Sequence, residues 1–340
     1  MRFTVVTLLV SFVAGLLCAP PAARAQGAEK TWRLGVLATL PRPADANPDD
    51  SYNAFLQELR SLGYIEGKNV VIEWRATGGS TERRRLEVSA LVAWKPDVIV
   101  AVTAIDAETI RNEDGNVAVV LAGAGNDLVA AGIVKSLARP GGNTTGIQML
   151  QAETAPKRLQ ILKELVPGLQ NVAILRGLPA TPTPAAQQHV NMLRAELEGA
   201  SRELSVRLRD TPVAPGDDLD RVFAGLQHDA DAVILDTNPY LTGLGIRRLV
   251  DLAIHHGLPT MYDFAQWVEA GGLVSYGPNL RSNWRRTAHF VDRIFKGERP
   301  AAMPVEQPGN FQLIINLKTA KALNLRIPRH LLLFADRVIE

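Results

Sequence analysis

The stretch GGLVSYGPNL (Gly271–Leu280) begins as an apolar strand and stops at the stiff corner Gly277-Pro278. A polar segment with helical spacing of its apolar residues follows it. A second apolar strand, FQLIINL, begins only after another Pro/Gly-rich junction, PAAMPVEQPGN. A chain that simply completed one domain would not need two such junctions so close to its end. We therefore predict that the chain crosses from one lobe to another at this corner and returns along FQLIINL. We expect Tyr276 to face the cleft between the lobes.

Upstream of this corner, short apolar strands alternate with amphipathic helices. A first series contains the strands WRLGVLATL, NVVIEWR, DVIVAV and VAVVLAG, and the later segment DLVAAGIVKSLA has the spacing of a helix. A second series begins after the Gly-rich break RPGGNTTG and contains the strands NVAILR, SVRLRD, DAVILD and PTMYD. Such alternation predicts right-handed βαβ units and parallel sheets that are covered by helices on both faces.

The predicted fold class is therefore α/β, with two doubly wound parallel-sheet lobes joined by a three-crossover hinge. Residues 32–145 and 278–305 are predicted to form lobe one, and residues 146–277 and 306–340 are predicted to form lobe two. A hinge between two α/β lobes is typical of a protein that closes on a ligand.

Residues 1–25 have the layout of a secretory signal peptide. Arg2 precedes an apolar run, and a small-residue sequence ending at Ala25 predicts cleavage before Gln26. The apolar run is shorter than the roughly 18–20 residues that a membrane-spanning helix needs. We therefore expect an exported protein.

A lipid anchor on Cys18 is the alternative to simple cleavage, but Leu17 is bulky where a lipid-modified cysteine follows a small residue. Cleavage removes this single cysteine, so the mature chain is expected to contain no disulfide. Cleavage also removes two arginines, which lowers the formal net charge from +2 to 0. A neutral chain has no electrostatic reason to bind nucleic acid or an anionic membrane, and we expect neither partner.

Four ordered segments resemble the ABC-transporter substrate-binding family, whose members are often described as tryptophan- or tyrosine-binding proteins. They are FLQELRSLGYIEGKNVVIEWR, SLARPGGNTTGI, VEAGGLVSYGPNL and PVEQPGNFQLIINLKTAKALNL. The resemblance covers nearly the whole mature chain. It implies a monomeric type I periplasmic binding protein that delivers a small molecule, such as an amino acid, to a permease in the inner membrane. It implies no cofactor and no enzymatic activity.

The candidate ligand-binding residues follow the predicted strands, because ligands of open α/β sheets bind beyond the carboxyl ends of the strands. In a two-lobed protein these ends face each other across the cleft. The candidates are Thr39, Leu40, Thr103, Ala104, Gly123, Asp127, Arg176, Asp236, Tyr262, Asp263 and Tyr276. We expect Arg176 and one of the acids to clamp the carboxylate and ammonium groups of a zwitterion.

Several candidates have a purely structural alternative. Asp127 has the position of a helix cap, Asp236 and Asp263 are also typical of caps or loops, and Arg176 is also typical of a surface charge. The candidate segments contain no nucleophile–base pair, no metal-ligand spacing and no complete dinucleotide fingerprint, so neither catalytic residues nor a metal site is predicted. A periplasmic sensor subunit for a kinase or chemoreceptor, and a two-lobed α/β enzyme, are the functional alternatives to transport.

Overall fold

The structure, a computed structural model, describes residues 30–43, 51–149, 151–178 and 184–340. The predicted signal peptide, residues 1–25, lies outside the described residues. Within these ranges, no helix is both long and apolar enough to span a lipid bilayer.

Lobe one is built around a parallel sheet. Its elements in chain order are β1 (Trp32–Ala38), α1 (Ser51–Ser61), β2 (Val70–Ala76), α2 (Thr81–Ala93), β3 (Val98–Ala101), α3 (Ala104–Glu113), β4 (Ala118–Ala124) and β5 (Thr144–Gln148). The strands pair in the order β2–β1–β3–β4–β5, and all the pairs are parallel. β3 is apolar and buried throughout, because helices α2 and α3 cover one face of the sheet while α1 covers the other.

Lobe two repeats this architecture. Its first elements are α4 (Ala155–Leu165), β6 (Asn171–Gly177), α5 (Pro184–Glu203), β7 (Arg207–Val213), α6 (Leu219–Asp229), β8 (Ala232–Asp236), α7 (Pro239–Leu244), α8 (Ile246–His255), β9 (Thr260–Tyr262), α9 (Ala265–Glu269) and β10 (Val274–Pro278). Helices α4 and α5 cover one face of this second sheet, while α6, α7, α8 and α9 cover the other.

The corner at the end of β10 depends on a close approach between two strands. Gly277 lies against the backbone of Asp263, the residue that follows β9, and a Cβ at Gly277 would overlap the carbonyl oxygen of Asp263. Helix α10 (Leu280–Phe295) begins two residues after Pro278 and is capped by Asn279, whose side-chain oxygen accepts the backbone N–H of Ser282 at 3.0 Å. The quoted stretch therefore contains a strand, a glycine with no room for a side chain, and a helix cap.

Helix α10 crosses to lobe one, where Trp284, Phe290 and Val291 are part of the apolar core beneath α1. The chain then returns to lobe two through β11 (Phe311–Asn316), α11 (Leu317–Ala322), α12 (Arg329–Phe334) and β12 (Arg337–Ile339). The second sheet has the order β12–β11–β10–β9–β8–β6–β7. These pairings confirm the predicted class of two α/β parallel-sheet lobes with a three-crossover hinge.

The second sheet departs from the parallel pattern at one position, because β11 is antiparallel to β10. The chain leaves lobe two at the cleft edge of the sheet, where β10 ends, and it re-enters at the same edge after α10. A strand that re-enters at this edge must run away from the cleft, opposite to β10.

Two further expectations are corrected near the first crossing. The segment DLVAAGIVKSLA forms a single turn rather than a helix, because Gly132 (φ +67°) directs the chain back and the N–H of Ile133 bonds to the carbonyl of Leu128 at 2.9 Å. Its apolar residues are buried against lobe one from this irregular segment. Residues 146–148, predicted to belong to lobe two, complete β5 in the first sheet, so the crossing lies between β5 and α4.

Candidate ligand-binding site

A cavity of about 390 Å³ lies between the carboxyl ends of the two sheets. Lobe one lines it with the residues that follow β1, β3 and β4 and with the beginnings of α1 and α2. Lobe two lines it with the residues that follow β6 and β8, with α7 and with part of α5. A volume of this size suits a small organic molecule.

Three aromatic side chains of lobe one form one side of the cavity, which we call the aromatic wall: Tyr52, Trp74 and Trp284. The rings of Tyr52 and Trp74 pack edge-on, with 4.3 Å between their centroids, and Tyr52 also packs edge-on against Trp284 at 5.9 Å. The indole N–H of Trp74 donates to the carbonyl of Leu40 at 3.0 Å. The ring orientations are therefore set by mutual packing and by a backbone hydrogen bond.

Lobe one also places a buried arginine at the cavity. Thr103 and Asp106 form a reciprocal capping box at the start of α3, each side chain bonding to the backbone N–H of the other at 3.1 Å. The second carboxylate oxygen of Asp106 accepts the Nε–H of Arg84 at 2.7 Å. One carboxylate therefore caps a helix and also holds the guanidinium of Arg84 at the cleft.

Arg176 of lobe two lines the cavity but is already paired. It forms a bidentate ion pair with Asp210 of β7, with N–O distances of 2.7 and 2.8 Å. The hydrogen bond to Asp210 is the main reason that the pKa of Arg176 is raised above its ordinary value. A ligand carboxylate would have to compete with this bidentate pair, which weakens the expected clamp at Arg176. Arg84 is also paired, but its bond to Asp106 uses Nε alone, so Arg84 is the more favourable cation.

A group of ionisable side chains lies at and behind the floor of the cavity in lobe two: Arg158, His189, Asp236 and Asp263. We call it the buried charge cluster. Nε2 of His189 lies 3.0 Å from Oδ1 of Asp236, and both residues line the cavity. Asp263 and Arg158 lie behind them and are almost completely buried.

Hydrogen bonds hold Arg158 and Asp263, the two residues behind the cavity, in place. The carboxylate of Asp263 accepts bonds from the Gln151 amide, at 2.8 Å, and from the Thr237 hydroxyl. Arg158 donates to the carbonyl of Gln151 at 2.8 Å and to Oγ1 of Thr154 at 3.2 Å. Burial lowers the pKa of Arg158 and raises that of Asp263, and the attraction between the two opposite charges opposes both shifts.

The structure brings part of the predicted set together in the cavity. The predicted residues that line it are Thr39, Leu40, Thr103, Gly123, Arg176 and Asp236. Asp263 lies behind the wall of the cavity. Ala104 is buried in the core at the first turn of α3, while Tyr262 is buried against Trp267, with 5.3 Å between the ring centroids. Oδ1 of Asp127 accepts the N–H groups of Val129 and Ala130, so this side chain holds the turn that stands where a capped helix was expected.

Tyr276 does not line the cavity, contrary to our expectation for this residue. It points to the face of the second sheet that α4 and α5 cover, and its ring stacks on Phe311 with 6.1 Å between centroids. Side chains alternate between the two faces of a sheet along a strand. At this position of β10, the side chain points towards the covering helices and not into the cleft.

We therefore expect that Tyr276→Ala lowers the free energy of unfolding by about 3 kcal/mol through lost packing, while ligand affinity changes less than about threefold. Chemical denaturation and calorimetric titration measure the two quantities. Tyr276→Phe, which keeps the ring, is the matched control and should preserve both. A large loss of affinity in a stably folded Tyr276→Ala protein would return this residue to the site.

The remaining cavity residues were not predicted from the sequence, including Tyr52, Trp74, Arg84, His189 and Trp284. They lie on helices or near a strand end whose orientation depends on lobe packing. Aromatic residues are only 6% of the chain, and this scarcity was the one sequence signal that could have drawn attention to Tyr52, Trp74 and Trp284. Within the described residues, no group of three or more His, Cys, Asp or Glu side chains is arranged to hold a metal ion.

Comparison with known proteins finds relatives that match most of the chain in sequence or in fold. A curated tyrosine-binding protein of Clostridioides difficile is 20% identical over 298 residues, which are 88% of this chain and 82% of the relative. A conserved domain protein of Vibrio cholerae has a TM-score of 0.78 at 22% identity, and the match covers 91% of this chain and 100% of the other. The ABC domain of Streptococcus pneumoniae in complex with L-Trp has a TM-score of 0.77 at 21% identity, with the same coverage.

The family model described as ABC transporter substrate binding protein matches residues 35–339. The match confirms the family that the sequence motifs indicated, and it spans both lobes and all the crossings between them. The chain therefore belongs to the ABC transporter substrate-binding protein family.

Proposed function

We propose that this protein is the solute-binding component of an ABC importer and that it captures an aromatic amino acid between its lobes. It is exported to the periplasm as a monomer and delivers the ligand to a permease in the inner membrane. The protein binds its ligand without a catalytic step. Ligand stabilises the closed form because only that form contacts the ligand from both lobes.

The observation that carries this proposal is the aromatic wall facing a charged floor. Tyr52, Trp74 and Trp284 offer ring faces and edges to an aromatic side chain, while Arg84 and Asp236 offer charges of opposite sign to the ligand's carboxylate and ammonium groups. The printed descriptions of two relatives, one tyrosine-binding and one in complex with L-Trp, support the same ligand class.

Calorimetric titration of the mature protein, unfolded and refolded to remove bound ligand, tests the ligand class. We expect L-tyrosine or L-tryptophan to bind more tightly than leucine, and ribose not to bind. Trp74→Leu should weaken the aromatic ligand by about 1–3 kcal/mol, or roughly five- to 150-fold, because a ring of the aromatic wall is lost.

Trp94→Leu is the matched control for this variant. Trp94 lies outside the cavity, beneath the guanidinium of Arg33 at 4.3 Å from its ring centroid, so its removal should leave affinity unchanged. Equal affinities of wild type and Trp74→Leu would contradict an aromatic binding site. Preference for ribose over all amino acids would contradict the ligand class but not the family.

Delivery to a permease needs a separate experiment in the host. Deleting the coding sequence should abolish high-affinity uptake of the radiolabelled ligand, and expression of the wild-type chain should restore it. Unchanged uptake in the deletion strain, together with tight binding in solution, would favour a sensor role over import.

A further inference from the structure

The charged side chains that line the cavity differ in how they are neutralised. Arg84 is paired with Asp106, Arg176 with Asp210, and Glu269 with Arg337. Each of these pairs is balanced without a ligand. Asp236 is different, because among the described residues it forms its ion pair with His189, whose charge depends on pH.

The charged residues behind the cavity do not provide a second cation that is dedicated to Asp236. Arg158 is the cation of the buried charge cluster, and it interacts with both Asp263 and Asp236. Asp263 accepts hydrogen bonds from the Gln151 amide and the Thr237 hydroxyl. Arg158 is therefore shared between two carboxyl groups, and His189 is the cation that contacts Asp236 directly.

We propose that the ammonium group of the ligand and the proton on His189 are alternative partners of Asp236, so that ligand capture expels one proton from His189. This inference rests on the proposed function, because it requires a ligand with an ammonium group. The ammonium takes over the neutralisation of Asp236, and the imidazole gives its proton to solvent. Keeping both cations would place two positive charges beside the one carboxylate of Asp236 in a buried site, while the ligand carboxylate lies at Arg84.

The surroundings of His189 support this exchange. Burial lowers its pKa, but the charge of Asp236 and the hydrogen bond to it outweigh burial, and the pKa lies above its ordinary value. Arg158 on α4 opposes the rise, and Asp263 after β9 adds to it. With Asp236 at the end of β8, these are the charges that act on the imidazole. The His189–Asp236 pair thus stabilises the ligand-free fold most at acidic pH, and this contribution is lost as pH rises through the raised pKa.

The sign of the pH dependence of binding follows from the same exchange. Below the pKa of His189, ligand must displace a proton, so affinity should fall by up to about tenfold for each unit of decrease in pH. Above that pKa the imidazole is already neutral, and affinity should be constant until the ligand's own ammonium group titrates.

Calorimetric titration with L-tyrosine and L-tryptophan at about pH 5.5 and about pH 8 tests the inference. For the wild type we expect at least about tenfold weaker binding at the lower pH. Titrations in two buffers of different ionisation enthalpy should show proton release at the lower pH. His189→Gln retains a hydrogen-bond donor for Asp236 but has no titrating group, and its affinity should be independent of pH.

Two controls separate this exchange from general pH effects. His330→Gln removes a histidine that pairs with Glu164 on the surface at 2.6 Å, and it should keep the wild-type pH dependence. The desamino analogue of the better amino acid has no ammonium group, so any binding it shows should release no proton. Asp236→Asn should weaken the amino acid more than this analogue.

The possible failures are distinguishable. Tight binding of an aromatic amino acid with the same affinity at both pH values, or an unchanged pH slope in His189→Gln, would overturn the proton exchange and leave the proposed function intact. Binding of neither L-tyrosine nor L-tryptophan at either pH would overturn the proposed ligand and this inference together.

Discussion

Replacing Arg158 by methionine is expected to lower the free energy of unfolding by about 3–5 kcal/mol, the range seen when a buried charge is left uncompensated. Arg158 is 3% exposed, and it is the arginine among two buried carboxylates, Asp236 and Asp263. Its removal takes away the permanent cation that interacts with both of those carboxylates. Methionine fills much of the same space as arginine, so the loss of stability would reflect the missing charge more than the missing volume.

Urea unfolding at neutral pH measures this effect, with Arg247→Met as the matched control. Arg247 forms an exposed ion pair with Asp251, four residues later on α8, and such pairs contribute about 0–1 kcal/mol. The deficit of Arg158→Met should shrink as pH falls, because protonation neutralises the stranded carboxylates. Equal stability of the two variants at neutral pH would show that the buried charge cluster does not need its arginine.

Replacing Gly243 by alanine is expected to weaken ligand binding by about 1–3 kcal/mol, or roughly five- to 150-fold, without unfolding either lobe. Gly243 is in α7 of lobe two, and a Cβ there would overlap the carbonyl oxygen of Gly78 in lobe one. Gly79 makes the reciprocal approach, since its Cβ would overlap the carbonyl oxygen of Pro239. The lobes thus touch backbone to backbone at the rim of the cleft, where an added methyl group would hold them apart.

The control for this variant is Gly225→Ala in helix α6, where a Cβ would meet no atom within 4 Å. Both substitutions place alanine in a helix, so any intrinsic gain in helix stability is shared. Calorimetric titration gives the affinities, and small-angle scattering with saturating ligand should show a less compact particle for Gly243→Ala. If its affinity and scattering curve equal those of Gly225→Ala, the rim contact has no part in closure.

Much of the architecture was predictable because the sequence patterns and the packing agree. The apolar runs of β3 and β4 are short and uninterrupted, as expected for strands with helices on both faces. The segment around Asp127 misled the prediction, since Leu128, Ile133 and Val134 are spaced for a helix but reach the core from a turn. Periodicity reports which side chains are buried, and an irregular segment that packs on a helix-covered face gives the same signal.

The cavity was predictable only where strand ends define it. Thr39 directly follows β1, and Asp236 is the last residue of β8. Both were therefore predicted from the expectation that ligands bind at the carboxyl ends of the strands. Tyr52 begins a helix, and His189 lies within a long one, and nothing in the local sequence indicates that either points at the cleft. Their positions depend on how each helix is rotated against its sheet, which is decided by long-range packing.

The return of α10 to lobe one means that neither lobe is a continuous segment of chain. The Tyr64 hydroxyl donates to Oδ1 of Asp292 on α10 at 3.0 Å, a contact that spans 228 positions of sequence. During synthesis, the apolar face beneath α1 therefore stays uncovered until α10 has been made, long after every strand of lobe one has emerged. Closing so long a loop is slow, and the first lobe to be synthesised is complete only after most of the second.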